Sequence, residues 1–271
     1  MIELKDIVKT FDGFRALDGL SLNVPRGSIY GLVGPNGAGK TTAIKHMAGI
    51  LRPDSGEVLI GGVPVFENPS AKARIAYIPD DVFYFPQATM QDMMRFYRGI
   101  YPTFDRGLYE RLGRVFDIDP HRPIRRLSRG MQKQAAFYLA VSMRPEVLIL
   151  DEPVDGLDPV MRRQVWGIIM QDVAENGLTV LVSSHNLREL EDVCDRVGML
   201  SRGKLPPELD VLHCSGPGRL KTLIVRGSGE EAERRLAALE PVFMDSVPLT
   251  LEEIFIYELG GADYAVKDVV L

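Results

Sequence analysis

Ile29-Tyr30-Gly31-Leu32-Val33-Gly34-Pro35-Asn36-Gly37-Ala38-Gly39-Lys40-Thr41-Thr42 is the stretch on which the fold turns. A short apolar run, Ile29–Val33, predicts a buried strand, and the residues from Thr42 to Ile50 carry helical spacing. Between them lies a loop with three glycines. Strand, glycine loop and helix occur in the order that a polyphosphate cradle needs. Glycines let backbone N–H groups turn toward phosphate without a Cβ in the way, and the helix N-terminus adds the positive end of its dipole. Lys40 supplies a mobile cation for the outer phosphates, and the Thr41 hydroxyl suits Mg²⁺. Gly34, Pro35, Asn36, Gly37, Ala38, Gly39, Lys40, Thr41 and Thr42 are therefore the expected phosphate-binding residues. A glycine-rich turn that merely caps a helix is the plain alternative, and the match of both pattern and context counts against it.

The sequence on either side extends this into a parallel α/β sheet. Runs rich in β-branched and apolar residues recur at Ile75–Ile78, Val147–Leu150, Thr179–Val182 and Val197–Leu200, each next to helical spacing. Upstream, Ile2–Val8 and Leu20–Val24 also read as strands. Val147-Leu148-Ile149-Leu150-Asp151-Glu152 ends a strand on two carboxylates, at the end of a parallel sheet where ligands bind. Asp151 is suited to Mg²⁺, and Glu152 to accepting a proton from the attacking water or orienting it. A strand ending in Asp-Glu is weak evidence alone and strong evidence beside the phosphate loop.

Thr89–Tyr101 places Met90, Met93, Met94, Tyr97 and Tyr101 three or four residues apart, with Thr89 and Asp92 resembling a capping box and Pro102 closing the helix. This predicts a helical insert whose aromatics form its core. Leu127-Ser128-Arg129-Gly130-Met131-Gln132-Lys133-Gln134 opens another helix, with Ser128 as its N-cap; serine, glycine and free N–H groups there make a second anion site. Beyond Gly203, Pro206-Pro207 and Gly216-Pro217-Gly218 mark a linker before an expected strand Thr222–Val225 and helix Glu230–Glu240.

Composition narrows the function classes. The 271 residues suffice for a full core, and a formal charge of −5 offers no basic excess for nonspecific nucleic-acid binding. Cys194 and Cys214 form no CxxC pair, which argues against a disulfide framework or a zinc site and fits a reducing compartment. No stretch is apolar for long enough to span a bilayer.

The ordered motifs Gly34–Thr42, Leu127–Met131, Asp151-Glu152, Asp155-Gly156-Leu157-Asp158 and Ser184-His185 resemble the nucleotide-binding domains of ABC transporters over residues 1–205. The resemblance implies an α/β fold: a P-loop NTPase core with a parallel sheet, an N-terminal antiparallel β subdomain and a helical insert at about 86–145; the change of composition after Gly203 adds a small C-terminal α/β appendage at 206–271. It implies that Phe11 stacks on adenine, and that Ser128 and Gly130 contact the γ-phosphate of ATP held by an opposing subunit. In the same family Asp155–Asp158 corresponds to a loop along the dimer interface, and His185 to a residue bonding the γ-phosphate. Lys40, Glu152 and His185 are then the catalytic residues, with ATP and Mg²⁺ as cofactors.

The implied partners are a second ABC ATPase subunit and transmembrane permease subunits, with no nucleic acid. The expected location is cytoplasmic, peripheral on the inner face of the cell membrane. Phe83-Tyr84-Phe85 and the insert helix are candidates for the permease-facing surface, with packing inside the subunit as the alternative. Two departures stand out. The signature reads LSRGM where the family usually has LSGGQ, and Asp80 stands where the family has a glutamine that senses Mg²⁺, which makes Asp80 a third metal candidate beside Thr41 and Asp151. LSRGM and the ending Leu251-Glu252-Glu253-Ile254-Phe255 resemble the ABC-2-type exporter branch. A rival reading is a soluble ABC ATPase acting on a cytosolic macromolecule without a permease. A module that binds ATP without hydrolysing it is disfavoured by Lys40, Asp151, Glu152 and His185. His46, His121 and His213 match no motif and are expected to be structural or solvated.

Overall fold

The computed structural model describes residues 1–205, 210–216, 219–225, 243–245 and 250–252. The chain divides into two compact units, Met1–Leu205 and Pro206–Leu271. In the first, the elements run β1 (Ile2–Phe11), β2 (Phe14–Val24), β3 (Ile29–Val33), α1 (Lys40–Met47), β4 (Ser55–Ile60), β5 (Val63–Pro64), α2 (Pro69–Lys72) and β6 (Ile75–Ile78). There follow α3 (Met90–Ile100), α4 (Arg106–Phe116), a 3₁₀ turn at Ile124–Arg126, α5 (Arg129–Ser142), β7 (Val147–Asp151), α6 (Pro159–Asn176), β8 (Thr179–Ser183), α7 (Leu187–Val193) and β9 (Arg196–Met199).

Two sheets share the work. The parallel sheet has the order β6-β7-β8-β3-β9, and β3, β7 and β8 are buried at every residue, as their apolar centres require, with the polar Asp151, Thr179 and Ser183 buried at the strand ends. An antiparallel sheet, β2-β1-β4-β5, stands beside it. Its first hairpin turns on Asp12-Gly13, with φ of 46° and 83°, the backbone that a two-residue loop of matching twist demands. That turn explains why β2 begins at Phe14, well before the expected Leu20: hairpin pairing carries the polar residues Arg15 and Asp18 into the ladder. One core joins the sheets through α1. Ile2, Leu20 and Ile60 from the antiparallel sheet meet Ile44 and Met47 of α1 and Leu32 of the parallel sheet, all fully buried.

The helices start where their caps lie. Thr89 and Asp92 form the expected capping box on α3, and Met90 and Met93 are buried. Ser128 caps α5, accepting from the Met131 N–H. Asp158 accepts from the N–H groups of Val160 and Met161 with Pro159 in the first turn of α6, and Gly177 closes that helix at φ 68°. The helix expected from Thr42 to Ile50 instead spans Lys40–Met47, because Gly39 at φ 106° is its N-cap and Gly49 leaves the helical region at φ 67°. α3, α4 and α5 lie between β6 and β7, and α5 is buried round most of its girth from Ala135 to Ser142, apart from half-buried Ala136. Tyr138 and Tyr109 stack at 4.5 Å to fasten α5 to α4.

In the second unit, β10 (Asp210–Gly216), β11 (Arg219–Val225) and β12 (Phe243–Asp245) form an antiparallel sheet in the order β11-β10-β12. The expected strand at Thr222–Val225 belongs to the longer β11. The expected helix Glu230–Glu240, Pro206-Pro207, Pro217-Gly218 and Glu253–Phe255 lie outside the described residues, as does the side chain of His213.

His46 is fully buried in α1 with Nδ1 2.7 Å from the Thr42 carbonyl, while His121 is exposed. Burial pulls the His46 pKa below its ordinary value, outweighing the carbonyl's opposite effect. A depressed histidine pKa means that the unfolded chain takes up a proton below about pH 6.5 that the folded chain refuses. Stability from this site is therefore present above that pH and lost as pH falls. The expected cost approaches about 1.4 kcal/mol per pH unit from this residue. Denaturant midpoints at pH 7.5 and 5.5 check it: His46→Gln should flatten the difference, and an unchanged slope would remove His46 as the cause. Cys194 is half-buried, and burial pushes its thiol up to about 12, so it is inert at neutral pH.

Candidate functional site

The site is assembled at the carboxyl ends of β3, β7 and β8, which are neighbours in the parallel sheet with β8 in the middle. The loop after β3 is pinned from beneath by the turn at Leu200–Gly203: Leu200 N–H donates to Val33 O at 2.7 Å and Gly203 N–H to Ala38 O at 3.0 Å. A Cβ at Gly34 would come within 2.3 Å of Leu200 O, and one at Gly39 within 2.7 Å of Ala16 O, so neither position admits a side chain. Gly39 brings no capping side chain to α1, which leaves the helix N-terminus to face a ligand. Lys40 Nζ lies across the loop, donating to Gly34 O at 2.7 Å and Pro35 O at 3.3 Å. Burial lowers its pKa, and the charges of Glu152 and Asp151 partly restore it. The ammonium thus feels both carboxylates at the end of β7.

Thr41 Oγ1 donates to Asp151 Oδ2 at 3.1 Å, and Ser183 Oγ donates to Asp151 Oδ1. Asp151 is 5% exposed and is held from both sides, by α1 and by β8. The donor set of a threonine hydroxyl and an aspartate carboxylate, both hard oxygens side by side below a phosphate loop, fits Mg²⁺. Among the described residues no three His, Cys, Asp or Glu side chains cluster as a metal site, so such an ion would share its coordination with phosphate and water.

Glu152 sits at φ 50°, in the left-handed region. Its N–H donates to Ser183 O at 3.0 Å, and its Oε2 accepts from His185 N–H at 3.3 Å and lies 2.9 Å from His185 Nδ1. His185 is largely exposed, with its carboxylate partner well covered. A mostly buried carboxylate beside an exposed imidazole, both at the mouth of the phosphate loop, can hold a water and hand on its proton.

The structure brings together Lys40, Thr41, Asp151, Glu152 and His185, all expected from sequence. Asp80 joins them indirectly, facing Lys133 with Oδ1 2.9 Å from Nζ. Phe11, Ser128 and Gly130 stand apart from that network. Phe11 is 41% exposed at the hairpin tip, with Lys9 Nζ 5.5 Å from its ring centroid. Ser128 is exposed, and its Oγ is engaged with its own helix. Gly130 has a structural reason to be glycine: a Cβ there would lie 2.8 Å from Gly156 O, so its absence lets the Asp155–Asp158 loop lie against the first turn of α5. The Phe83-Tyr84-Phe85 cluster divides. Phe83 and Phe85 are exposed, but Tyr84 is buried and donates to Gln132 O at 3.0 Å, fastening this loop to α5.

Sequence reasoning missed Ser183 and Lys133. The first was within reach, since parallel pairing of β7 with β8 places Asp151 opposite Ser183. The second had no local signal.

A strand, a glycine loop whose close approaches forbid side chains, an uncapped helix and a carboxylate pair on a neighbouring strand together define a P-loop nucleotide-hydrolysing domain. The family model described as "ABC transporter" matches residues 17–155. The chain is 32% identical over 288 aligned positions to the ABC transporter ATP-binding protein YtrB of Bacillus subtilis (strain 168), covering 96% of this chain and 99% of that protein. It is 29% identical to the linearmycin resistance ATP-binding protein LnrL of the same organism, covering 93% and 85%. A dimeric structure of the ATP-binding cassette MJ0796 bound to ADP and Pi shares the fold, with a TM-score of 0.68 at 21% identity over 84% of this chain and all of that one. The chain belongs to the ATP-binding proteins of ABC transporters and is an ATPase. No helix among the described residues is long and apolar enough to cross a membrane.

Proposed function

We propose that this chain is the ATP-hydrolysing subunit of an ABC exporter, working as an ATP-dependent dimer beneath permease subunits on the inner face of the membrane. The observation that carries the catalytic part is the convergence of Lys40, the Thr41–Asp151 pair and the Glu152–His185 pair at the carboxyl ends of β3, β7 and β8. In this reading residues 34–42 bind the phosphates and Phe11 the adenine. Thr41 and Asp151 hold Mg²⁺, which neutralises phosphate charge when bound. Glu152 accepts a proton from the attacking water, and His185 steadies both that carboxylate and the outer phosphate. Domain boundaries at 205/206, with the insert at about 86–145, complete the assignment.

Ser128 and Gly130, exposed or half-exposed and outside the network around Lys40, suit a second subunit's nucleotide. The dimeric form of the MJ0796 cassette supports pairing. The exporter branch is supported by LnrL, named for linearmycin resistance. Nucleotide-driven pairing would turn hydrolysis into motion, because loss of the γ-phosphate link weakens the interface.

Purification of the native complex from gently solubilised membranes tests the assembly. A permease chain should co-purify at fixed stoichiometry. Recovery only with a soluble macromolecule would replace the exporter by a cytosolic ATPase.

A further inference from the structure

Lys133 lies in the second turn of α5, with its side chain only 9% exposed. A buried ammonium is costly unless its charge and its donors are both met. Here Nζ is 2.9 Å from Asp80 Oδ1 and donates at 2.7 Å to the backbone O of Glu152. That carbonyl belongs to the residue held at φ 50°, a conformation that persists only where surroundings enforce it. The enforcement comes from three directions. β8 receives the Glu152 N–H through Ser183 O, His185 meets the carboxylate, and Lys133 meets the carbonyl.

We propose that Lys133 is a positioning residue for Glu152, and that Asp80 is its counter-charge. The ammonium holds the Glu152–Pro153 peptide so that the carboxylate is aimed at the phosphate loop. Asp80, which stands where the resembling family has a neutral glutamine, keeps that ammonium in place. The aspartate and the buried ammonium thus account for each other within this chain. The inference rests on Glu152 being the residue that handles the attacking water.

The test compares wild type, Lys133→Met, Lys133→Arg, Asp80→Asn, the Lys133→Met/Asp80→Asn double variant and Glu152→Gln as full-length chains, with any co-purifying subunits. Steady-state ATPase, equilibrium ATP binding and Mg²⁺ titration are measured on each. Lys133→Met should lower kcat by about tenfold or more while KM and the ATP dissociation constant stay within about threefold, as loss of an interaction felt mainly in the transition state requires. Lys133→Arg should recover part of kcat. Asp80→Asn should lower kcat by about threefold, and the double variant should be no slower than Lys133→Met alone, because the pair acts as a unit. Should Lys133→Met not fold, Lys133→Arg and Asp80→Asn carry the same split between kcat and KM.

A Lys133→Met kcat within twofold of wild type, or additive losses in the double variant, would overturn the proposal. So would an Asp80→Asn variant whose only change is a raised Mg²⁺ requirement, which would make Asp80 a metal ligand. Full turnover in Glu152→Gln would instead overturn the assignment of Glu152 itself, so the two failures are distinguishable.

Discussion

Glu152→Gln should lose about 100-fold or more of kcat while binding ATP within about threefold of wild type, the range expected when a general base is neutralised. Glutamine is nearly isosteric, and its amide oxygen can still accept the His185 N–H that now meets Oε2. The backbone contacts to Ser183 and Lys133 use main-chain atoms and survive the change. The residues proposed to bind phosphate lie in the loop after β3 and the first turn of α1, and the hydrogen bonds of Lys40 and Thr41 there do not involve the Glu152 side chain. Lys40→Ala is the contrasting variant. It removes the cation from the phosphate loop and should weaken ATP binding by about tenfold or more, in keeping with loss of a charge-assisted contact. Stopped-flow binding and single-turnover hydrolysis separate the two. Near-normal turnover in Glu152→Gln would remove Glu152 from the chemistry.

The second large effect concerns assembly. In the Glu152→Gln background, ATP should shift the isolated chain toward a dimer in sedimentation velocity, because the γ-phosphate proposed to bridge subunits would no longer be removed. Adding Ser128→Arg should return it to monomer, weakening association by about tenfold or more through a lost hydrogen bond to a charged group and the bulk placed in its path. Ser128 is also the N-cap of α5, so the substitution costs about 1 kcal/mol of folding stability as well. Ser128→Thr keeps a capping hydroxyl and should keep much of the dimer, which separates interface loss from helix fraying. A monomer in every variant, with ATP bound, would mean that this chain pairs with a different ATPase.

Much of this was legible in advance because the decisive features are local. The bounds of β3 and β6 agree with the apolar runs, since a strand covered on both faces by the core reads as a near-continuous apolar stretch. The caps of α3 and α5 were readable from Thr89, Asp92 and Ser128, whose side chains bond backbone N–H groups only three residues away. β4 and β5 were not foreseen. Ser55, Gly56 and Glu57 at the start of β4 are exposed and carry no apolar run, and they are strand only because they pair with β1. The Phe83-Tyr84-Phe85 stretch shows the same limit, for three consecutive aromatics gave no sign that the middle one alone is buried.

By itself the sequence determined the order of strand, glycine loop and helix, the carboxylates ending β7, and hence a phosphate-binding α/β domain, because these follow from periodicity and from what each residue's backbone and side chain permit. Only the tertiary structure decided that Ser183 braces Asp151, that Glu152 is clamped by Lys133 and His185, and that Asp80 is spoken for by an ammonium 53 positions along the chain. Those pairings depend on which strand lies beside which and on how α5 carries Lys133 to the residue after β7. Such choices are set by burying the whole core at once, and no local pattern along the chain encodes them.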